Sequence, residues 1–423
     1  MPYHNSLTPV HSDKIARGTK AERTHHIITH NPNTAQPGET LYIRCPKLQT
    51  GVVLVPNTFD LVFDLEIMGD ATNRVVQNVA KNIVSQLLLK FENETLFDLS
   101  NYNIIECYRD LYNHKKDRMN MTLYGIQTEN MRKLRSGAAD ADASAKDDML
   151  LYDVYKNTFA IRLNHPMVTS HGAVYPSSLG SHIEWEVTLA PPKQLLVTKN
   201  LATANYRLNN IRLEYETIRD SNLAQDIAGY YNNGKSFLYE HVHHFRTIPF
   251  KESDTIIKEN INIPRRSIRG LVLLFTKSQD QDRLNSELYI NPKISSVSIT
   301  IEGIANKVYA QGMEPRHFWR EACRYFMEDK ALCATDMDET DFLKNKFCLF
   351  IDLRSFKNSE YHGNGLRVIN TKDGVQLEIR KNNTSVTEGA DDEKHDYRMY
   401  AHLYVLSDAM MSVEGAKLQS VQY

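Results

Sequence analysis

At 423 residues the chain is too long for one ordinary hydrophobic core and fits two or three domains. Hydrophobic residues make up 41% and charged residues 24%, the balance of a soluble globular protein. With 50 basic against 52 acidic residues and a formal net charge of −2, a main surface that coats nucleic acid is excluded, although a local basic patch is not.

Residues 1–38 are polar, rich in His, Asn, Thr and Pro, and read as a flexible N-terminal arm that could order only against a neighbouring subunit. The first residues lack a hydrophobic signal segment, and nowhere do about 18 apolar residues run together. Neither a signal peptide nor a membrane span is expected. Strand signals begin at Thr40 with LYIRCPKL. In residues 58–67, Phe59, Leu61, Phe63, Leu65 and Ile67 then alternate with polar neighbours, the mark of a half-buried strand. Residues 74–86 fit helix or strand equally. Leu87, Leu89 and Phe91 alternate again, Asn93-Glu94 suits a tight turn, and Ser100 is placed to cap a helix. On that helix Ile104, Cys107, Tyr108, Leu111 and Tyr112 share one face. A poorly periodic segment follows, including the low-complexity SGAADADASAKDD. Strands return at 158–163 and 183–189, closed by Pro191-Pro192, and the best domain boundary lies in residues 190–205.

The second half repeats the plan, with strands expected at 238–247, 255–263 and 270–276. The run VSITIEGIANKVYAQGMEPRHFWREACRYF then restates strand, Glu-containing turn, strand and helix. Leu87, Leu89, Phe91 and Glu92 correspond to Val297, Ile299, Ile301 and Glu302 at one constant offset. Glu106, Arg109 and Leu111 correspond to Glu321, Arg324 and Phe326 at a slightly longer one. Pro315 opens the second helix, and Trp319, Ala322, Cys323 and Phe326 form its apolar stripe. Residues 347–353 echo 159–163, and Asp373-Gly374 signals a hairpin between 366–370 and 375–379. The last strand, 398–406, trails the Trp185 strand by a similar interval. The reading is an all-β chain of two like domains with one clear helix each: an arm at 1–38, a first domain at 39–200 and a second at 201–423.

Candidate chemistry is sparse. The run from Gly229 to Ser236, GYYNNGKS, satisfies a phosphate-binding loop pattern, with Lys235 for the phosphates and Asp352 as a distant metal ligand. That mechanism needs a strand before Gly229 and a helix from Lys235. The neighbouring residues suggest the reverse, so a polar connection is preferred. His241, His243 and His244 would put two imidazoles on one strand face without a completing ligand set. Asp336, Asp338, Glu339 and Asp341 fall short of a calcium loop, lacking its Gly and its closing Glu. Arg265, Arg266 and Arg269 read as a solvated strand edge. The five cysteines, Cys45, Cys107, Cys323, Cys333 and Cys348, are scattered without CxxC spacing and read as buried free thiols in a reducing compartment. No catalytic, cofactor-binding or metal residue is assigned, and no enzyme is expected.

The segment NRVVQNVAKNIVSQLLLKFENETLFDLSNYNIIECYRDLY, the run INIPRRSIRGLVLLF and its continuation YINPKISSVSITIEGIANKVYAQGM resemble the hexon-like, double jelly-roll major capsid proteins of Polinton/Maverick elements and adintoviruses. The resemblance covers roughly residues 40–410. It implies two fused eight-stranded jelly rolls, each with a flanking helix, and a homotrimeric pseudo-hexagonal capsomer in an icosahedral double-stranded-DNA virion. It further implies neighbouring capsomers, penton and minor capsid proteins as partners, without sequence-specific nucleic-acid binding. Connections 113–150 and 327–345 would be outward loops able to touch a host surface, and assembly would take place in the host cell nucleus. The alternatives are a P-loop nucleotide-binding enzyme using Gly229 to Ser236 and a tandem β-sandwich ligand-binding module.

Overall fold

The computed structural model describes residues 22–69, 74–91, 94–112, 157–163, 165, 168, 182–197, 202–232, 234–277, 288–301, 304–305, 312–327, 337–356, 363–369, 374–382, 398–414 and 417–423. The chain forms two compact units. The first comprises Met1–Asn103, Met121–Tyr239 and Ala409–Gln422; the second comprises Ile104–Asn120, Glu240–Asp408 and Tyr423.

The first unit is built on β1 (Glu22–Thr29), β2 (Thr40–Cys45), β3 (Asp60–Met68), β4 (Val84–Phe91), β5 (Glu94–Ser100), β6 (Thr158–Arg162), β7 (Ile183–Leu189) and β8 (Asn205–Arg219). They form antiparallel sheets of order β1-β8-β3-β6 and β2-β7-β4-β5, with Thr34–Ala35 and Val52–Leu54 adding short pairings to β8. Eight strands divided this way are a jelly roll. The alternation read in the sequence supplies the core. In β7 the odd residues Ile183, Trp185, Val187 and Leu189 are buried, and Trp185 pairs with Leu89 of β4 and Ile43 of β2. From the facing sheet come Leu61, Phe63 and Leu65 of β3, with Phe63 against Phe159 of β6.

The second unit uses residues 240–251 of β9 (Lys235–Lys251), β10 (Ile256–Ile261), β11 (Ile268–Lys277), β12 (Ile294–Ile301), β13 (Ile304–Ala305), β14 (Cys348–Asp352), β15 (Val375–Lys381) and residues 398–408 of β16 (Arg398–Glu414). Its sheets, β9-β16-β11-β14 and β10-β15-β12-β13, repeat the first unit's order strand for strand. β17 (Lys417–Gln422) pairs with the end of β16, from Met410 to Glu414, and both of these segments belong to the first unit. The two units thus share one topology, and the all-β, double jelly-roll expectation holds.

Helices distinguish them. α1 (Tyr102–Asp110) follows β5 in sequence, yet from Ile104 onward it belongs to the second unit. There it packs with α3 (Pro315–Phe326): the Tyr112 ring stacks on Phe326 at 4.9 Å, and Tyr108 meets Phe326 at 5.1 Å and Tyr289 at 4.8 Å. The Tyr289 hydroxyl donates to the Ile104 carbonyl at 2.8 Å. α3 lies on β14, with Tyr325 stacked on Phe350 at 4.4 Å, and α4 (Glu339–Asn345) sets Phe342 against Trp319 at 5.0 Å. α2 (Ser221–Tyr231), in the first unit, is capped by Asp220, whose carboxylate accepts from the amides of Asn222 and Leu223 at 3.0 Å each.

Several expectations need correcting. β8, placed at the head of the second domain, is the last strand of the first: Tyr206 and Leu208 pair with Ile67 and Leu65. The 1–38 arm contains β1, paired along its length with β8; residues 1–21 lie outside the described residues. The strand from Arg398 is the counterpart of β8, and the counterpart of the Trp185 strand is β15. β15 makes no hairpin across Asp373-Gly374, because its partners are β10 and β12 and Leu366 contributes only an isolated bridge to Ile268. Ser100 is the last residue of β5 rather than a cap, and Asn101, at φ 50°, turns the chain into α1. One helix per half becomes more than one, with α2 and α4 added. Residues 113–150 lie outside the described residues.

Candidate functional site

The phosphate-loop match is removed by local structure. α2 ends at Tyr231 and β9 begins at Lys235, so the segment runs helix, turn, strand, with Gly234 at φ 69°. A phosphate cradle needs the opposite order, because only a helix that starts at the lysine aligns free amides and a dipole on the anion. The Ser236 hydroxyl lies 3.0 Å from that of Ser412. Asp352 is committed elsewhere: Arg354 donates to both of its carboxylate oxygens at 3.0 Å, with both side chains buried.

The histidines sit on β9 as structural groups. His241 is buried, its ring 4.6 Å from that of Tyr423. His244 joins a hydrogen-bonded chain with Thr247, His402 and Thr276, and burial pushes the His402 imidazole down to about 3 and that of His244 to about 4. Asp338 caps α4 by accepting from the Asp341 amide at 2.7 Å, while Asp336 lies outside the described residues. Of residues 327–345, therefore, the described part is largely a helix anchored through buried Phe342 rather than a free loop. Among the described residues no group of three His, Cys, Asp or Glu side chains could hold a metal ion. Cys45, Cys107, Cys323 and Cys348 are buried thiols, and burial raises those of Cys45, Cys323 and Cys348 to about 12.

Sequence reasoning missed the main polar constellation, which lies in the second unit. Arg269, read as a solvated edge residue, is buried, with its guanidinium 3.7 Å from Asp408 and 3.6 Å from Glu240. Asp408 also accepts from the Ser267 hydroxyl at 2.6 Å and the Gly363 amide at 2.8 Å. Glu240 accepts from the Tyr325 hydroxyl at 2.6 Å and from Arg109 at 3.1 Å. Arg109 also makes its expected pair with Glu106 at 2.9 Å, as Arg324 does with Glu321 at 3.1 Å. Residues from α1, α3, β9, β11 and β16 are joined by these contacts. These charge pairs, with the Tyr325 hydrogen bond, tie the five elements together, and a half-buried network of this kind fixes geometry.

In the first unit the polar side chains lie on the sheet face turned away from the core. Arg162 meets Asp60, Arg207 meets Glu66, Arg212 meets Glu214, Arg23 meets Glu216, and His25 stands 3.6 Å from Glu214. Tyr42 on β2, Ile27 on β1, and Ile256 on β10 of the second unit are exposed apolar side chains at sheet edges.

No protein-family model and no curated protein matches the chain. Solved structures do match in fold. The capsid of the virus PBCV-1, in a quasi-atomic model, aligns with a TM-score of 0.61 at 9% identity, covering 96% of this chain and 98% of that one. The crystal structure of PBCV-1 VP54, fitted into a reconstruction of the virophage Sputnik, gives 0.59 at 9% identity over the same shares. The Sputnik virophage structure gives 0.52 at 11% identity, covering 94% and 88%.

Proposed function

We propose that the chain is a structural major capsid protein, of the hexon-like kind seen in Polinton/Maverick elements and adintoviruses, and not an enzyme. One observation carries the reading: the jelly-roll strand order occurs twice in one polypeptide, and that arrangement aligns nearly end to end with capsid chains. Three copies of a two-unit chain present six similar jelly rolls, enough for one polypeptide to tile a hexagonal lattice as a homotrimer. Neighbouring capsomers, penton and minor capsid proteins would be its partners. Residues 113–150 and 327–345 would be the connections offered to a host surface. The virion is the proposed location, with assembly in the host nucleus; buried cysteines held as thiols support a reducing compartment.

Light scattering on the purified chain tests this directly. A stable trimer at micromolar concentration is expected, and a persistent monomer would contradict the proposal. Tight ATP binding abolished by Lys235→Ala would instead favour the nucleotide-binding alternative.

A further inference from the structure

His402 lies in the middle of β16, between β9 and β11, and is 2% exposed. Its Nε2 is 2.9 Å from the Thr276 hydroxyl of β11, and its Nδ1 is 3.1 Å from the Thr247 hydroxyl of β9. Thr247 is in turn 3.2 Å from Nε2 of His244, so four side chains on three adjacent strands form one chain of hydrogen bonds. The two imidazole rings stand 6.2 Å apart.

A neutral imidazole, one nitrogen donating and one accepting, fits such a chain because each hydroxyl can do either. An imidazolium does not fit. His243 on β9 and Tyr404 on β16 lie beside His244, and Tyr400 on β16 and the Thr276 hydroxyl on β11 lie beside His402. Beyond burial, the charge acting on His402 is that of His244, and the charge acting on His244 is that of His243. Each opposes a second proton. Exposed His25 in the first unit differs, facing the carboxylates of Glu214 and Glu216.

We infer that the His244–Thr247–His402–Thr276 chain is an acid-sensitive clasp, which releases β16 from β9 and β11 when its imidazoles take up protons. Both imidazoles are held below their ordinary 6.5, at about 4 for His244 and about 3 for His402. An opened strand returns them to that ordinary value. The open state therefore binds more protons, and stability is full above pH 6.5, falls as the pH drops below it, and levels off only under the folded values. If the chain is a capsid subunit, as proposed above, mild acid would weaken each subunit in its second unit.

Hydrogen exchange of the full chain, read on peptides spanning 399–406 between pH 7.5 and 4.5, tests the clasp. Corrected for the intrinsic rate, the opening constant should rise up to about 100-fold per pH unit in the wild type. In either His402→Gln or His244→Gln it should rise only about tenfold, one proton being lost from the linkage. Equal slopes in all three proteins would overturn the inference. Should a variant fail to fold, carbon-labelled histidine spectra of the wild type decide. A His402 imidazole that does not titrate above pH 4.5 is expected, and one that titrates near 6.5 overturns it. Both readouts apply to the chain in any oligomeric state, so failure of the capsid reading would leave them distinguishable.

Discussion

In β3 the side chains turned away from the core are Asp60, Asp64 and Glu66, paired with Arg162, Thr158 and Arg207, together with Val62, which is buried opposite Ala160. The corresponding strand of the second unit, β11, puts Val272 and Leu274 there, opposite Phe350 and Cys348 of β14. One sheet has an outer face that is mostly polar; its twin is buried on both. The consequence is visible in the residues: DLVFDLEIM carries a charge at Asp60, Asp64 and Glu66, whereas GLVLLF and CLFI run continuously apolar, as strands covered on two sides do. The difference teaches that the jelly-roll topology does not dictate what lies outside it. The second unit's sheet is roofed by α3 and α4 from its own repeat and by α1 from the other. A helix encoded in the first repeat completes the second unit.

That comparison can be broken most sharply at two rings. Tyr108→Ala should cost about 3–5 kcal/mol, and the loss of hydrogen-exchange protection should appear in β14 of the second unit rather than in β6 of the first, although Tyr108 belongs to the first repeat's sequence. Trp185→Ala should cost a similar amount with the opposite distribution. If Tyr108→Ala loosened β6 instead, the assignment of α1 would fail. Next in size, Arg269→Ala should destabilise the second unit by about 3 kcal/mol, because Asp408 and Glu240 lose their shared cation in a buried site. Removing the Asp220 cap with Asp220→Ala should cost about 1 kcal/mol, read as faster exchange at the start of α2. Smallest is Arg23→Ala, where the side chain is 65% exposed; a shift of at most about 1 kcal/mol, shrinking with added salt, is expected by denaturant unfolding.

The repeat was legible because its signals are local. Period-two alternation in β4 and β12 and helical spacing in α1 and α3 need no knowledge of distant partners. The intrahelical pairs Glu106–Arg109 and Glu321–Arg324 were legible for the same reason. What depended on long-range pairing was not. β8 and β16 are the eighth strands of their units, yet each lies in the middle of its sheet, between the first and third strands, so chain order alone assigned them to the wrong neighbours. An apolar stripe says that a helix buries one face, not against what, and so α1 was given to the first domain. On α3, Phe318 and Tyr325 are more deeply buried than Trp319 and Phe326, which face α1 and α4 across the stripe's margin. Arg269 looked solvated because Glu240 and Asp408, which hold it, lie far away along the chain. The phosphate-loop match failed on the test set for it: the order of helix and strand around Lys235.

Electron microscopy of the purified full chain tests the central claim most directly, because two jelly rolls in one polypeptide are meaningful for a shell only if three chains close into a ring. Class averages with three-fold symmetry and a pseudo-hexagonal outline are expected. Particles of single-chain size at every concentration, with no three-fold class, would contradict the account.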